Sequence, residues 1–175
     1  MRQHVAAFLL LVAGLASAGP VGEAGRYIET DAYLGSAFPA GVPAAQTLWL
    51  KGDLRAGVEC LLGHPFSGLR VRYWMDGTRS AWILDEIGKE LPITIGVAIS
   101  SGAIASVDVL EFRESRGWEV RYPFFTDQFV DARLGPNDKL DRRIDGITGA
   151  TMSVDAVTRV AQVALLLHEH VANAN

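Results

Sequence analysis

The stretch that decides the fold is ITIGVAISSGAIASVDVLEF, residues 93–112. Its first half, from Ile93 to Ile99, is apolar at most positions and rich in β-branched side chains, and reads as a strand. Ser101-Gly102 follows as a tight-turn pair. The chain then returns through a strand that alternates cleanly, with Val107, Val109 and Glu111 on one face and Asp108, Leu110 and Phe112 on the other. Two strands joined by so short a turn pair antiparallel.

Upstream, Leu69, Val71 and Tyr73 alternate with Arg70, Arg72 and Trp74, Asp76-Gly77 supplies a second tight turn, and residues 81–84 return as another strand. Two consecutive hairpins predict an antiparallel sheet of about four strands. Before them, Leu54, Val58, Leu61 and Leu62 recur at helical spacing, with Asp53 as N-cap and Gly63 as C-cap. At the other end, residues 153–171 form the longest helix. Its polar stripe is Asp155, Thr158 or Arg159, Gln162 and Glu169, and the wide apolar remainder must lie against the sheet. The fold class is therefore α+β, with helices packed on an antiparallel sheet.

The first residues are read as a leader. Met1, Arg2 and His4 give a short basic start, residues 5–15 are continuously apolar, and Ala16-Ser17-Ala18 offers a small-residue cleavage site. A spanning helix needs roughly 20 apolar residues, about twice this run. The expected organisation is a signal peptide at 1–18, a loosely structured Gly-, Ala- and Pro-rich lead-in at 19–43, and one domain at 44–175. Localisation is then outside the cytoplasm, in a periplasm. Across 175 residues, 16 basic and 20 acidic side chains give a net charge of −4, which argues against a nucleic-acid partner. One cysteine excludes an internal disulfide framework and any multi-cysteine metal or haem-attachment motif.

The chemistry gathers just before the last helix, in Asp145-Gly146-Ile147-Thr148-Gly149-Ala150-Thr151-Met152-Ser153. Small residues let backbone approach a ligand closely. A helix N-terminus offers free amides and the positive end of a dipole to a phosphate. Taken alone, Thr or Ser at such a place is an ordinary capping residue.

Asp145, Thr148, Gly149, Ala150 and Thr151 resemble, position for position, the Asp-x-x-Ser/Thr-Gly-Ala-Thr signature of the FMN-binding domain family. That family includes flavin-carrying subunits of the sodium-translocating NADH:quinone oxidoreductase and of Rnf-type complexes, and this chain looks closest to its small exported proteobacterial members. Glu114-Ser115-Arg116-Gly117 resembles the family's flavin-side Glu-Thr-Pro-Gly segment, with Ser115 and Arg116 departing from it. Residues 124–130 resemble its Phe-x-x-x-Phe stretch.

The resemblance implies FMN as cofactor, joined by a phosphoester to Thr151 by a separate Mg²⁺- and FAD-dependent flavin transferase. Thr148, Gly149, Ala150, Met152, Ser153, Glu114, Ser115, Gly117 and Trp118 would surround the flavin, and Asp145 would be read by the transferase. Such a protein is an electron carrier serving a membrane or periplasmic redox partner rather than a self-contained catalyst. The alternative is a non-redox regulatory or docking module that keeps the same shape.

Other chemistry-bearing residues have plainer readings. Cys60 reads as a buried free thiol on the apolar side of its helix. His168 and His170, two apart, cannot share a helix face for a metal and are placed on the solvent side or at the helix end. His64 has no visible partner. Trp49, Trp74 and Trp82 read as core, and the charges at 138–143 as a solvated face.

Overall fold

The residue 93–112 hairpin supplies the second and third strands of a six-stranded antiparallel sheet, two strands wider than the sequence suggests. The computed structural model describes residues 24–174, so the segment read as a leader, 1–18, lies outside the described residues. In chain order the elements are β1 (Gly25–Arg26), α1 (Thr30–Ala37), β2 (Gln46–Trp49), α2 (Gly52–Leu62), β3 (Arg70–Asp76), β4 (Arg79–Ile87), β5 (Pro92–Ser100), β6 (Ala103–Phe112), the short α3 (Pro123–Thr126) and the long α4 (Thr151–Asn173). The sheet runs β1-β6-β5-β4-β3-β2.

Two bulges on β6 redirect its side chains. Ile95 pairs with Val109 while Thr94 pairs with Glu111, leaving Leu110 unpaired, and a second shift leaves Ala105 unpaired. Each extra residue exchanges the faces that follow it. Phe112 therefore joins Val107 and Val109 in the main core, and Leu110 packs in a second cluster on the opposite face. Strict alternation, which set Phe112 beside Leu110 and Glu111 beside Val109, fails at this bulge.

The main core lies between one sheet face and α2 and α4. Ile93, Ile95, Val97, Ile99 and Trp82 meet Val157, Val160, Ala164 and Leu167 there. Small residues at Ala156, Ala161 and Ala164 let α4 approach the sheet closely. The helix begins two residues before its expected start and ends two after. α2 starts at Gly52 on Lys51, so Asp53 sits in the first turn rather than at the N-cap, while Gly63 closes the helix with its amide on the Glu59 carbonyl at 2.9 Å.

The opposite face is covered by the segment expected to be a loose lead-in. Within 24–43, β1 extends the sheet, and the amides of Tyr27 and Ile28 donate to the bulged Leu110 carbonyl at 2.8 and 3.2 Å. α1 then buries Tyr33, Leu34 and Ala37, followed by Phe38, over Trp74, Ala81, Ala98 and Leu110. The i, i+1, i+4, i+5 spacing of these four residues is helical, and it is masked by the surrounding Gly, Ala and Pro. Burial of each large side chain here is worth about 1.5–3 kcal/mol. The close approach rests on Gly96, where a Cβ would fall 2.6 Å from the Tyr33 ring.

A ladder of opposite charges crosses the sheet outside this cluster. Thr94 Oγ1 donates to Asp85, Arg113 reaches Glu111 at 2.8 Å, and Glu111 accepts from Arg26 at 2.9 Å. No helix among the described residues is long and apolar enough to cross a membrane.

Candidate functional site

The connection from β6 to α4 builds the site. Phe125 and Phe129, at the spacing read from the sequence, anchor it by packing edge to face at 5.4 Å, fully buried in the core. Gln128 Oε1 then accepts the Asp145 amide at 2.7 Å, fixing the start of the signature segment. Ala150 donates to the Ile147 carbonyl at 3.0 Å, closing a turn whose third residue, Gly149, has φ +82°. A β-turn with positive φ at that position favours glycine. Helix α4 begins at the next residue but one, Thr151.

The α4 N-terminus has no side-chain cap, and its first helical bond runs from Val154 to the Ala150 carbonyl. The amides of the first turn and the helix dipole are thus directed at whatever occupies this end. Thr151 is exposed there, between Ala150 and Met152.

Beside it lies a cleft of about 480 Å³, within the range of small-molecule sites. It brings together six of the residues singled out in the sequence: Glu114, Ser115, Gly149, Ala150, Met152 and Ser153. Gly117 does not line the cleft but lies against one residue that does, since a Cβ on it would fall 2.5 Å from Ser153 Oγ. Thr148 and Thr151 are both exposed and neither lines the cleft, Thr151 standing between the lining residues Ala150 and Met152. Trp118 turns inward against the main core and is not brought to the cleft. Asp145 is exposed, 3.8 Å from Arg143.

Glu114 has a structural occupation. Its Oε1 accepts the backbone amides of Lys89, Glu90 and Leu91 at 2.5, 2.6 and 2.9 Å. Burial pushes its carboxyl up, and the Leu91, Glu90 and Lys89 amides outweigh burial and hold it below the usual carboxylate value. Through Glu114 the β4–β5 turn is tied to the end of β6, and both walls of the cleft are set together.

Three lining residues were not found from the sequence: Lys89, Glu90 and Arg116. Lys89 and Glu90 occupy a third hairpin turn, Gly88 to Leu91, whose signal is Gly88 with Pro92 four residues on. Arg116 was visible only as a departure from the resemblance. Lys89 and Arg116 bring cationic side chains to the same cleft as the helix N-terminus.

The buried Glu86, 2% exposed, lies one strand residue inside this turn. Arg159 of α4 holds it at 2.9 Å and His64 Nε2 at 3.1 Å, so His64, which the sequence leaves without a partner, has one. Arg159 also reaches the Ile87 carbonyl at 3.4 Å, tying α4 to the end of β4 beside the cleft. The carbonyl of Pro65 and the Glu86 carboxylate raise the His64 pKa.

At the far end of α4, His168 is buried rather than on the solvent side. Its Nδ1 meets Ser80 Oγ at 2.8 Å, and Ser80 accepts from Trp82 Nε1 at 2.8 Å. Burial lowers the His168 pKa. Cys60, expected inside, is exposed. Trp49, expected in the core, is 51% exposed on the edge strand.

The family model described as FMN-binding domain matches residues 88–166, from the β4–β5 turn through most of α4. No curated protein matches the chain. The matched span contains every signature and cleft residue named above.

Proposed function

Residues 88–166 belong to the FMN-binding domain family, and from that premise we propose that this chain is an exported electron carrier holding FMN through a phosphoester to Thr151. The observation that carries the proposal is the exposed Thr151 at the uncapped N-terminus of α4, immediately after the Gly149 turn and flanked by Ala150 and Met152, which line the 480 Å³ cleft.

The residues present fit such a group. Gly149 has no heavy atom within 4 Å of where a Cβ would stand, leaving backbone open to a ligand. The first-turn amides of α4 and its dipole favour the phosphate charge by about 0.3–1 kcal/mol, or more where it is partly buried. Lys89 and Arg116 bring cationic side chains to a cleft that Glu90 and Glu114 also line, with Glu90 3.5 Å from Lys89. Met152, half exposed, offers an apolar contact at the same place. Bound flavin supplies the redox couple. The chain supplies tether, charge and partial exclusion of water. Covalent attachment prevents loss of the cofactor after export, where no cytoplasmic pool replaces it.

Maturation requires a partner, a flavin transferase that uses Mg²⁺ and FAD. The Thr151 oxygen bonds to the FMN-side phosphorus, AMP departs, and the hydroxyl proton goes to solvent. Asp145, exposed six residues before the acceptor, is suited to recognition by that enzyme. Electrons then pass to and from a membrane or periplasmic redox partner.

The test is coexpression with a flavin transferase, followed by intact mass measurement and in-gel fluorescence after denaturation. Wild-type protein gains the mass of FMN less water on the peptide containing Thr151, and Thr151→Ala gains nothing. A colourless wild-type protein from a host shown to flavinylate another substrate would overturn the proposal.

A further inference from the structure

The strand registers place the flavin cleft and a second feature at the same end of the sheet. Trp49 pairs with Arg70, Ile87 with Pro92, and Ile93 with Phe112, so the C-terminal end of β2, the N-terminal end of β3 and the β4–β5 turn share one end of the molecule. Five of the eight large hydrophobic side chains exposed among the described residues stand at this end: Trp49, Leu69, Ile87, Leu91 and Met152. Leu69 is the most exposed of all, at 67%.

Around Trp49 the charge is positive. Lys51 Nζ stands 5.7 Å from its ring centroid and the Arg70 guanidinium 5.6 Å. Arg72 pairs with Thr47 two residues along, on the same face as Trp49 and Arg70. Among the described residues none of these three cations meets a carboxylate within ion-pair distance. Asp85, which lines the same hollow as Arg70 and Arg72, is engaged by Thr94 and by Arg113 at 4.0 Å. In a chain of net charge −4 this is a local excess of positive charge beside exposed apolar surface.

We propose that this end of the molecule docks on an anionic lipid surface, with Trp49 and Leu69 entering the headgroup region and Lys51, Arg70 and Arg72 meeting lipid phosphates. Tryptophan suits a bilayer interface because its ring is apolar while its N–H stays polar. Unpaired Lys and Arg beside it gain from the negative surface potential over about a Debye length. On this face the α1 cluster reaches β3 only at Trp74, so Trp49, Arg70 and Arg72 at the other end of the β2–β3 edge remain exposed. Docking this way turns the cleft end toward the bilayer. The residues assigned to lipid contact, Trp49, Lys51, Leu69, Arg70 and Arg72, lie outside the FMN-binding segment, and docking does not depend on flavin attachment.

The experiment is co-sedimentation of the mature chain with protein-free vesicles, either phosphatidylcholine alone or phosphatidylcholine with one-third phosphatidylglycerol. The expected result is binding to the anionic vesicles only, weakened by added salt, with a blue shift of tryptophan emission that Trp49→Phe removes. Lys51→Glu with Arg70→Glu, and separately Trp49→Ser with Leu69→Ser, should each reduce binding about tenfold or more. Phe124→Ser, exposed elsewhere, should leave it unchanged. Thr151→Ala should bind as wild type does, so failure of the flavin proposal would not affect this result. All substituted positions are exposed, and thermal unfolding checks that the variants fold. No binding to anionic vesicles at low salt overturns the proposal. So does binding undiminished in both double variants, or binding that requires a membrane protein in the vesicle.

Discussion

Gly117 approaches Ser153 so closely that a Cβ on the glycine would lie 2.5 Å from Ser153 Oγ and 3.4 Å from the Ala150 Cβ. Its φ of +88° is also one that other residues rarely adopt. Gly117→Ala therefore strains the backbone and pushes on the first turn of α4, where Thr151 sits. We expect a loss of about 1–3 kcal/mol in stability and a fall in flavin loading, read by thermal unfolding and by the ratio of flavin to protein absorbance. Adding Ser153→Gly relieves the contact and restores loading in part, since the strain at φ remains. Full loading and unchanged stability in the single variant would contradict this account.

Glu114→Gln tests the tie between the two walls of the cleft. Glutamine keeps the shape and one acceptor oxygen, but bonds from amides to a carboxylate are about twice as strong as bonds to a neutral oxygen. A loss of about 1–3 kcal/mol is expected at neutral pH. Because the folded carboxyl is held below its usual value, its contribution is present above the unfolded pKa of about 4.3 and is lost as pH falls through the folded one. Urea unfolding followed toward acid should show wild type and variant converging. Parallel curves would mean that Glu114 is not the titrating group.

Cys60 is exposed on α2, so it should react with a thiol reagent such as Ellman's in the folded protein, at a rate close to that of an unstructured cysteine. Reaction only after denaturation would place the thiol inside.

The hairpin at 93–112 and the long last helix were legible because their patterns are long and depend on local chemistry. The Thr-Gly-Ala-Thr segment stands out in the sequence only through its resemblance to the family signature, since a Thr at a helix start is by itself an ordinary capping residue. What the sequence concealed depends on partners distant in the chain. The bulge at Leu110 leaves no mark on an alternating pattern, although it moves Phe112 to the other face. α1 is short and set among Gly and Pro, and its reason to form is the Gly96 notch that receives Tyr33, 63 residues away in the chain. The structural tie made by Glu114 is hidden because its amide partners belong to a turn 23 to 25 residues upstream. His64, His168 and Cys60 were misjudged for a related reason: a lone polar residue carries no local signal of what lies against it.

Ser80 joins two buried groups, accepting from Trp82 Nε1–H and donating to His168 Nδ1, the assignment that satisfies a neutral imidazole. Ser80→Ala leaves both without partners and should cost about 2–4 kcal/mol, measured by denaturant unfolding. The same burial sets a pH dependence. With its folded pKa lowered, His168 contributes stability that is present above the unfolded value of about 6.5 and is lost as pH falls through the folded value. His64 acts with the opposite sign. Its pKa is raised, so its contribution is complete below about 6.5 and is lost as pH rises through the folded value. The two effects occupy different sides of that pH. His64→Gln should flatten the stability profile above about 6.5 and leave the acid side unchanged. Nuclear magnetic resonance titration of the imidazoles should give His168 the lower of the two midpoints. A His168 midpoint at or above that of His64 would show that the imidazole is not held neutral against Ser80.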